Sequence, residues 1–596
     1  MFRLSTVAYV GLLAALAFAQ PGGTITIGRN VQVSVKNSGS AHWEVRIAAD
    51  PANAQRLLAC SFIHSAKQNT SHTVVYASGD GGKTWNPALE SDRADYVGDP
   101  DCVFGLRGAA YFATLPLRRE STPAQTLVYR SADAGLTWAS PIELPYIDRE
   151  YLTVDQTSGK YRGRIYLQGN ETHVPTVDGD GRVVFTLFRS SDGAATFGPP
   201  LQLIPDGTHV PFGNGNGEVL SDGSYVAVFP EWTHARSITQ PQGAPAGLIK
   251  IVRSENGGDS FTKASVISPW YWCKDAGEPG LPMIAADHTG GPFKDRLYAV
   301  WSDSQSGHCD VRFSYSTDKG KTWSRSKVIN DEPNRLWPDR FANHGMPVVA
   351  VNFRGVVGIS WYDRRDSPDN TGWWTRFTAS LDGGETFLPS VRASEAPEAH
   401  TGDEALPIWI VSQRATIHIQ SDQGERFGGD TGGLAADANG IFHPLWVDNR
   451  TGILQLWTSA VTVSGGAVRN GSEDLAALND VTGSITLEYA NTNYDPKTAL
   501  LAFDTILRNT STAPIAAPIK LRVTGIVAGS GSARISNADN HQSGAGAVWD
   551  FSNVVPGGVL NPGDKSSPKR FEFLWHGRNG VKYRDLITLE SKVLAR

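Results

Sequence analysis

The chain has 596 residues, 40% hydrophobic, 10% aromatic and 19% charged, with 62 glycines and 34 prolines. That length exceeds one ordinary core, and the balance fits a globular, turn-rich β protein. A net charge of -6 gives no basis for a nucleic-acid partner or for an anionic membrane surface.

Met1 to Ala19 reads as a secretory signal: Arg3, the apolar run VAYVGLLAALAF, then the small-residue site Ala17-Phe18-Ala19. The run is short for a membrane span and no later stretch approaches one, so an exported protein with no integral membrane segment is expected. Export bears on the four cysteines, which allow three pairings. Cys60 with Cys102 and Cys273 with Cys309 are the expected disulfides, the second tying two loops of one repeat unit. Four buried free thiols are the alternative.

From Ser78 onward the chain keeps returning to one phrase, S-x-D-x-G-x-T-W/F. It reads SGDGGKTW at Ser78, SADAGLTW at Ser131, SSDGAATF at Ser190, SENGGDSF at Ser254, STDKGKTW at Ser316 and SLDGGETF at Ser380. Copies about 60 residues apart signal a repeat array. Each follows a short apolar or aromatic run such as TVVYA or FTLFR, so the phrase is expected to be a tight turn after a strand. Asp80, Asp133, Asp192, Asn256, Asp318 and Asp382 are then staples that accept backbone N–H bonds, with glycine taking the φ > 0 position.

A second phrase precedes each turn: an apolar strand, an Asp/Asn/Gly turn, then another apolar strand. It occurs seven times, from VRIAADPANAQRLLACSF to LAADANGIFHPLWVD. Each unit therefore reads as a four-stranded antiparallel meander, the blade of a β-propeller. The unit from Asp430 to Val463 lacks the turn phrase, and an early strand within residues 24–35 is expected to complete it. The propeller is expected over residues 20–463, followed by a linker over 464–470. Residues 471–596 carry alternating runs such as SITLEYA, LLAFDTILRN and KRFEFLW, which predict an immunoglobulin-like β-sandwich.

A meander alternates its connections between the two ends of the ring. The repeated turns share one end with the turns inside the second phrase. Functional groups therefore belong at the other end, just before the first strand of a unit or just after its second. Those places are polar: His42, Glu44 and Arg46; Asp99 and Asp101; Asp148, Arg149, Glu150 and Tyr151; Asn214, Asn216 and Glu218; Glu278; His344; Asp430; and, after second strands, Asp363, Arg364, Arg365, Asp448 and Arg450. Aligning the units on their inner turns puts Arg46, Asp101, Tyr151 and Glu218 at one level. Arginine, two acids and a phenol are what cleavage of an acidic sugar requires: a guanidinium fork for the carboxylate, an acid for the leaving oxygen, and a carboxylate-assisted Tyr as nucleophile. No Cys/His cluster or calcium-loop spacing points to a metal, and no phrase points to a cofactor.

The repeated turns are similar to Asp boxes, and the chain resembles the sialidase/neuraminidase-like β-propellers with such (BNR) repeats. VRIA around Arg46 resembles a signature whose Arg binds the substrate carboxylate, with Ala48 in place of proline, and GEPGLPMIAAD resembles the segment whose glutamate, here Glu278, activates the nucleophile. The resemblance implies catalytic roles for Asp101, Tyr151 and Glu278, and substrate-binding roles for Arg46, Arg149, Glu218, Arg364, Arg365, Asp430 and Arg450. It departs in blade count, since six is usual there, and in Gly429-Asp430-Thr431, which stand where a nucleophilic tyrosine would open the last inner strand. Two functions follow: a secreted sialidase-like glycoside hydrolase acting on terminal acidic sugars, or a non-catalytic propeller binding glycan or protein through the same face.

Overall fold

The computed structural model describes residues 23–65, 70–91, 96–117, 125–173, 182–203, 210–211, 214–232, 245–273, 280–331, 342–366, 372–396, 428–451, 453–528, 532–576 and 587–596. The signal-like segment lies outside them. The architecture is all-β. Among the described residues, seven antiparallel sheets follow one another along residues 25–463, an arrangement consistent with a propeller.

Their first strands are Ala41–Ala49, Tyr96–Phe104, Asp148–Val154, Gly217–Val219, Met283–Ala286, His344–Val351 and Gly433–Ala436. The second strands are the most buried: Leu297–Asp303, Val357–Asp363 and Phe442–Asp448 are buried at every residue. A strand covered on both faces needs a continuous apolar run, which LYAVWSD and FHPLWVD supply. The cores lie between sheets. Leu58 and Val75 of the first pack with Phe104 and Phe112 of the second, while Trp43, Val45 and Ile47 of the first pack with Leu445 and Val447 of the seventh. The expected early strand is present: Ile25–Ile27 pairs antiparallel with Val461–Val463.

The six repeated turns share one hydrogen-bond pattern. In the first, Ser78 Oγ donates to Asp80 Oδ1, the Thr84 N–H donates to the same oxygen at 2.9 Å, and Thr84 Oγ1 donates to Asp80 Oδ2 at 2.6 Å. Asp133, Asp192, Asp318 and Asp382 repeat it, and Asn256 does so through its amide. Each turn also wedges against the sheet before it: a Cβ at Gly135 would meet Leu58, one at Gly320 Ile251, and one at Gly82 of the first sheet His443 of the seventh.

Residues 479–595 form two four-stranded sheets and a small two-stranded one around a second core, where Trp549 is fully buried and stacked on Phe571. Two strands of this unit present Arg522 and Lys592 to the sixth repeated turn. Arg522 binds Asp382 and, at 2.8 Å, Glu385; Lys592 Nζ lies 2.6 Å from the other Glu385 oxygen.

Cys273 and Cys309 form the expected disulfide. Cys60 and Cys102 do not. They are free thiols buried in the apolar layer between the first two sheets, and the Cys102 thiol lies 3.9 Å from the Arg46 carbonyl. Burial, then hydrogen bonding to Cys102, pushes the Cys60 thiol well up, as fits an inert core thiol.

Candidate functional site

Four first strands carry the same irregularity. Their register slips between Trp43 and Arg46, Gly98 and Asp101, Asp148 and Tyr151, and Gly345 and Val348. Inside each slip one non-glycine residue takes the left-handed conformation: Glu44 (φ 50°), Asp99 (φ 49°), Arg149 (φ 57°) and Met346 (φ 54°). Such a backbone costs on the order of 1–3 kcal/mol per residue and persists only where surroundings impose it. A β-bulge re-aims a side chain, and here it does so at equivalent places in successive sheets.

Hydrogen bonds passed from sheet to sheet hold three of the four, at Glu44, Asp99 and Arg149. The Glu44 N–H donates to the Gly428 carbonyl at 2.8 Å, and the Asp99 N–H donates to Glu44 Oε2 at 2.6 Å. The Arg149 N–H donates to Asp99 Oδ2 at 3.3 Å, and Asn214 Nδ2 donates to the Arg149 carbonyl at 3.4 Å. Gly429 (φ 90°) tightens the first of these junctions by close approach: a Cβ there would lie 2.3 Å from Glu44 Cγ. This tier faces the end opposite the repeated turns.

One tier deeper stand the aligned residues. Arg46, Asp101 and Tyr151 each face the fourth residue of the next strand (Cys60, Ala113 and Gln168), and the three meet. Arg46 Nε donates to Asp101 Oδ1 at 3.0 Å, its guanidinium lies 5.0 Å above the Tyr151 ring, and the Leu152 N–H takes the other Asp101 oxygen at 2.8 Å. Tyr151, 2% exposed, packs with Met283, Ala285 and Val348 from opposing first strands. Burial pushes its phenol up, the reverse of what a nucleophilic tyrosinate needs, and pushes Asp101 up against the pull of Arg46. This tier is a floor.

Glu218 does not join it. Its strand has three residues, and Glu218 faces Val226, the second residue of the next strand, two places nearer the turn end. There it meets His288 Nε2 at 3.0 Å. Glu278 lies outside the described residues.

The arginines after second strands are held by their own neighbours. Trp361 Nε1 and Arg365 both donate to Asp363, and Arg365 also reaches Asp331 at 2.9 Å. Trp446 Nε1 and Arg450 do the same to Asp448, with Arg450 reaching Asn30 at 3.2 Å. A Trp-x-Asp-x-Arg staple thus ends two second strands. Arg364 stacks on Trp373 at 5.3 Å.

The upper tier gathers acids. Oxygens of Glu44, Asp99 and Asp430 lie within 4.8 Å of one another. The Arg149 guanidinium contacts Asp430 and lies 3.9 Å from Asp148, which accepts from Tyr146 Oη at 3.2 Å. Burial, then the neighbouring Asp148 carboxylate, pushes Asp99 up to about 6. Burial and the Asp99 charge push Glu150 well up, and neither Glu150 oxygen has a hydrogen-bond partner among the described residues. The three-carboxylate spacing would admit a cation. However, a guanidinium already sits on Asp430, and backbone N–H groups take one oxygen each of Glu44 and Asp99. The group is therefore read as an acid–carboxylate–guanidinium cluster.

Glu44 and Asp99 were visible in the sequence as polar residues two places before Arg46 and Asp101. Only the repeated bulge singles them out.

No protein-family model and no curated protein matches the chain. Among solved structures it is similar to a Hadza microbial sialidase, Hz136, at 15% identity over 69% of this chain and 74% of that one, with a TM-score of 0.38. It is also similar to an α-L-arabinanase of Penicillium chrysogenum, at 15% identity, 56% and 94% coverage and a TM-score of 0.37. A leech intramolecular trans-sialidase aligns at 10% identity over 74% of this chain and 98% of that one, with a TM-score of 0.36.

Proposed function

We propose that the chain is an exported glycoside hydrolase on a seven-bladed β-propeller followed by an immunoglobulin-like sandwich, with its reaction at the upper tier. The observation that carries this is the gathering of Glu44, Asp99 and Asp430, whose oxygens lie within 4.8 Å of one another, around a half-buried carboxyl, Asp99, raised to about 6. Asp99 protonates the departing glycosidic oxygen while Asp430, paired with Arg149, attacks the anomeric carbon from the opposite face, and water deprotonated by Asp99 then hydrolyses the glycosyl ester. Asp99 and Asp430 oxygens within 4.8 Å of one another are too close for the wider gap of an inverting pair, which leaves the retaining course, with its separation of about 5–5.5 Å. Arg46, Asp101 and Tyr151 form the floor that keeps water from below.

The sugar class follows from charge. Arg46, Arg149, Arg365 and Arg450 are each in an ion pair with a carboxylate, and Arg364 stacks on an indole. A sialidase-type site needs guanidinium groups ready to fork onto a sugar carboxylate. An acidic tier with committed arginines suits an uncharged terminal sugar better than an acidic one.

The test is release of methylumbelliferone from a panel of aryl glycosides that includes arabinofuranoside and sialoside. Turnover is expected on an uncharged glycoside and is expected to fall about 10²–10⁴-fold in Asp99→Asn. Turnover of the sialoside alone would restore the acidic-sugar reading. Absence of turnover on every member would leave the non-catalytic binder in its place.

A further inference from the structure

Trp272 is 37% exposed, the one tryptophan among the large exposed apolar residues described. It lies in the connection that leaves the strand Ser265–Trp270, so it belongs to the same end of the molecule as the upper tier. The segment that carries it is tied to the next sheet. Trp270 Nε1 donates to the Ser302 carbonyl at 3.1 Å, the Tyr271 N–H donates to Asp303 Oδ2 at 3.0 Å, and Ser304 Oγ donates to the Trp272 carbonyl itself at 2.7 Å. The disulfide Cys273–Cys309 follows at once. The Trp270 ring meets the Trp272 ring edge-on at 5.4 Å.

An indole more than a third exposed, on a backbone so held, is unusual for a connection, where small polar residues are the norm. Ordering such a ring before a ligand arrives removes an entropy cost from binding. The C–H face of a sugar is weakly positive and complements the negative face of an indole. We propose that Trp272 is an aromatic subsite that stacks on a sugar ring of a glycan chain extending away from the carboxylate tier. The inference rests on the hydrolase reading of that end and adds a chain-binding contact remote from the cleaved bond.

Affinity gel electrophoresis of the full-length protein in soluble arabinan, xylan, chondroitin sulfate and mucin tests it independently of turnover. Retardation by at least one polysaccharide is expected. Trp272→Ala weakens that affinity about tenfold, and Trp272→Phe, which keeps a ring, retains most of it. Asp99→Asn keeps retardation while losing turnover, so Trp272-dependent retardation without turnover of any aryl glycoside would sink the hydrolase reading and leave the subsite. The subsite itself is overturned if no polysaccharide retards the protein, if Trp272→Ala is retarded like the unaltered chain, or if Trp272→Ala lowers the thermal midpoint and Trp272→Phe loses retardation equally.

Discussion

Replacing Arg522 by methionine tests how the two units are joined. Arg522 is 2% exposed, with Asp382 and Glu385 buried around it at 1% and 4%. Its guanidinium contacts Asp382, Glu385 at 2.8 Å and Thr386 Oγ1 at 3.4 Å, while Gly471 (φ 81°) comes so close that a Cβ would lie 2.6 Å from Arg522 Nη2. Methionine fills much of the volume but strands two buried carboxylates. Breaking a buried pair from one side costs about 3–5 kcal/mol. The lower end, about 3 kcal/mol, is expected because Lys592 Nζ remains 2.6 Å from Glu385. Guanidinium denaturation, followed by tryptophan fluorescence and by calorimetry, reads the loss and shows whether the two units then unfold separately. The Arg522→Met/Glu385→Gln pair should recover part of the cost, since one stranded charge is gone. A loss below about 1 kcal/mol, the worth of an exposed pair, would refute the idea that this contact fastens the unit of residues 479–595 to the sixth sheet.

Two further outcomes follow from the upper tier. Asp99 must carry a proton to act as acid, so turnover should fall as pH rises through about 6. A descending limb unmoved from neutral pH upward would remove Asp99 from that role. The same raised value means the folded state holds a proton that the unfolded chain releases, so this group's contribution to stability declines from the ordinary carboxylate range up to about 6. Gly429→Ala should displace Glu44, whose Cγ lies 2.3 Å from the new Cβ, at a backbone angle that L side chains resist. Loss of turnover exceeding any loss of stability is expected. Full activity in that variant would show that the row of bulges does not position the carboxylates.

The repeat was legible because both its signals are local. A serine, an acid, a glycine and a threonine within eight residues close a turn by their own hydrogen bonds, whatever lies around them, and apolar runs on either side form strands. The same locality put Arg46, Asp101 and Tyr151 at one level, since each lies at a fixed distance from its inner turn. Glu218 missed that level because its turn is shorter, a difference that shifts register by whole residues. Trp-x-Asp-x-Arg could have been read as a staple from its spacing in WYDRR and WVDNR, yet in sequence an arginine held by its own neighbour looks the same as one open to substrate.

What the chain order alone determined is the strand-and-turn alphabet and which residues approach one mouth. What only the tertiary structure decided is which of them point where. Neighbouring sheets impose a left-handed bulge on Glu44, Asp99 and Arg149, lifting these three above the floor. Bulge conformation and ionisation both depend on groups contributed by other sheets, distant in sequence, and no local pattern encodes them.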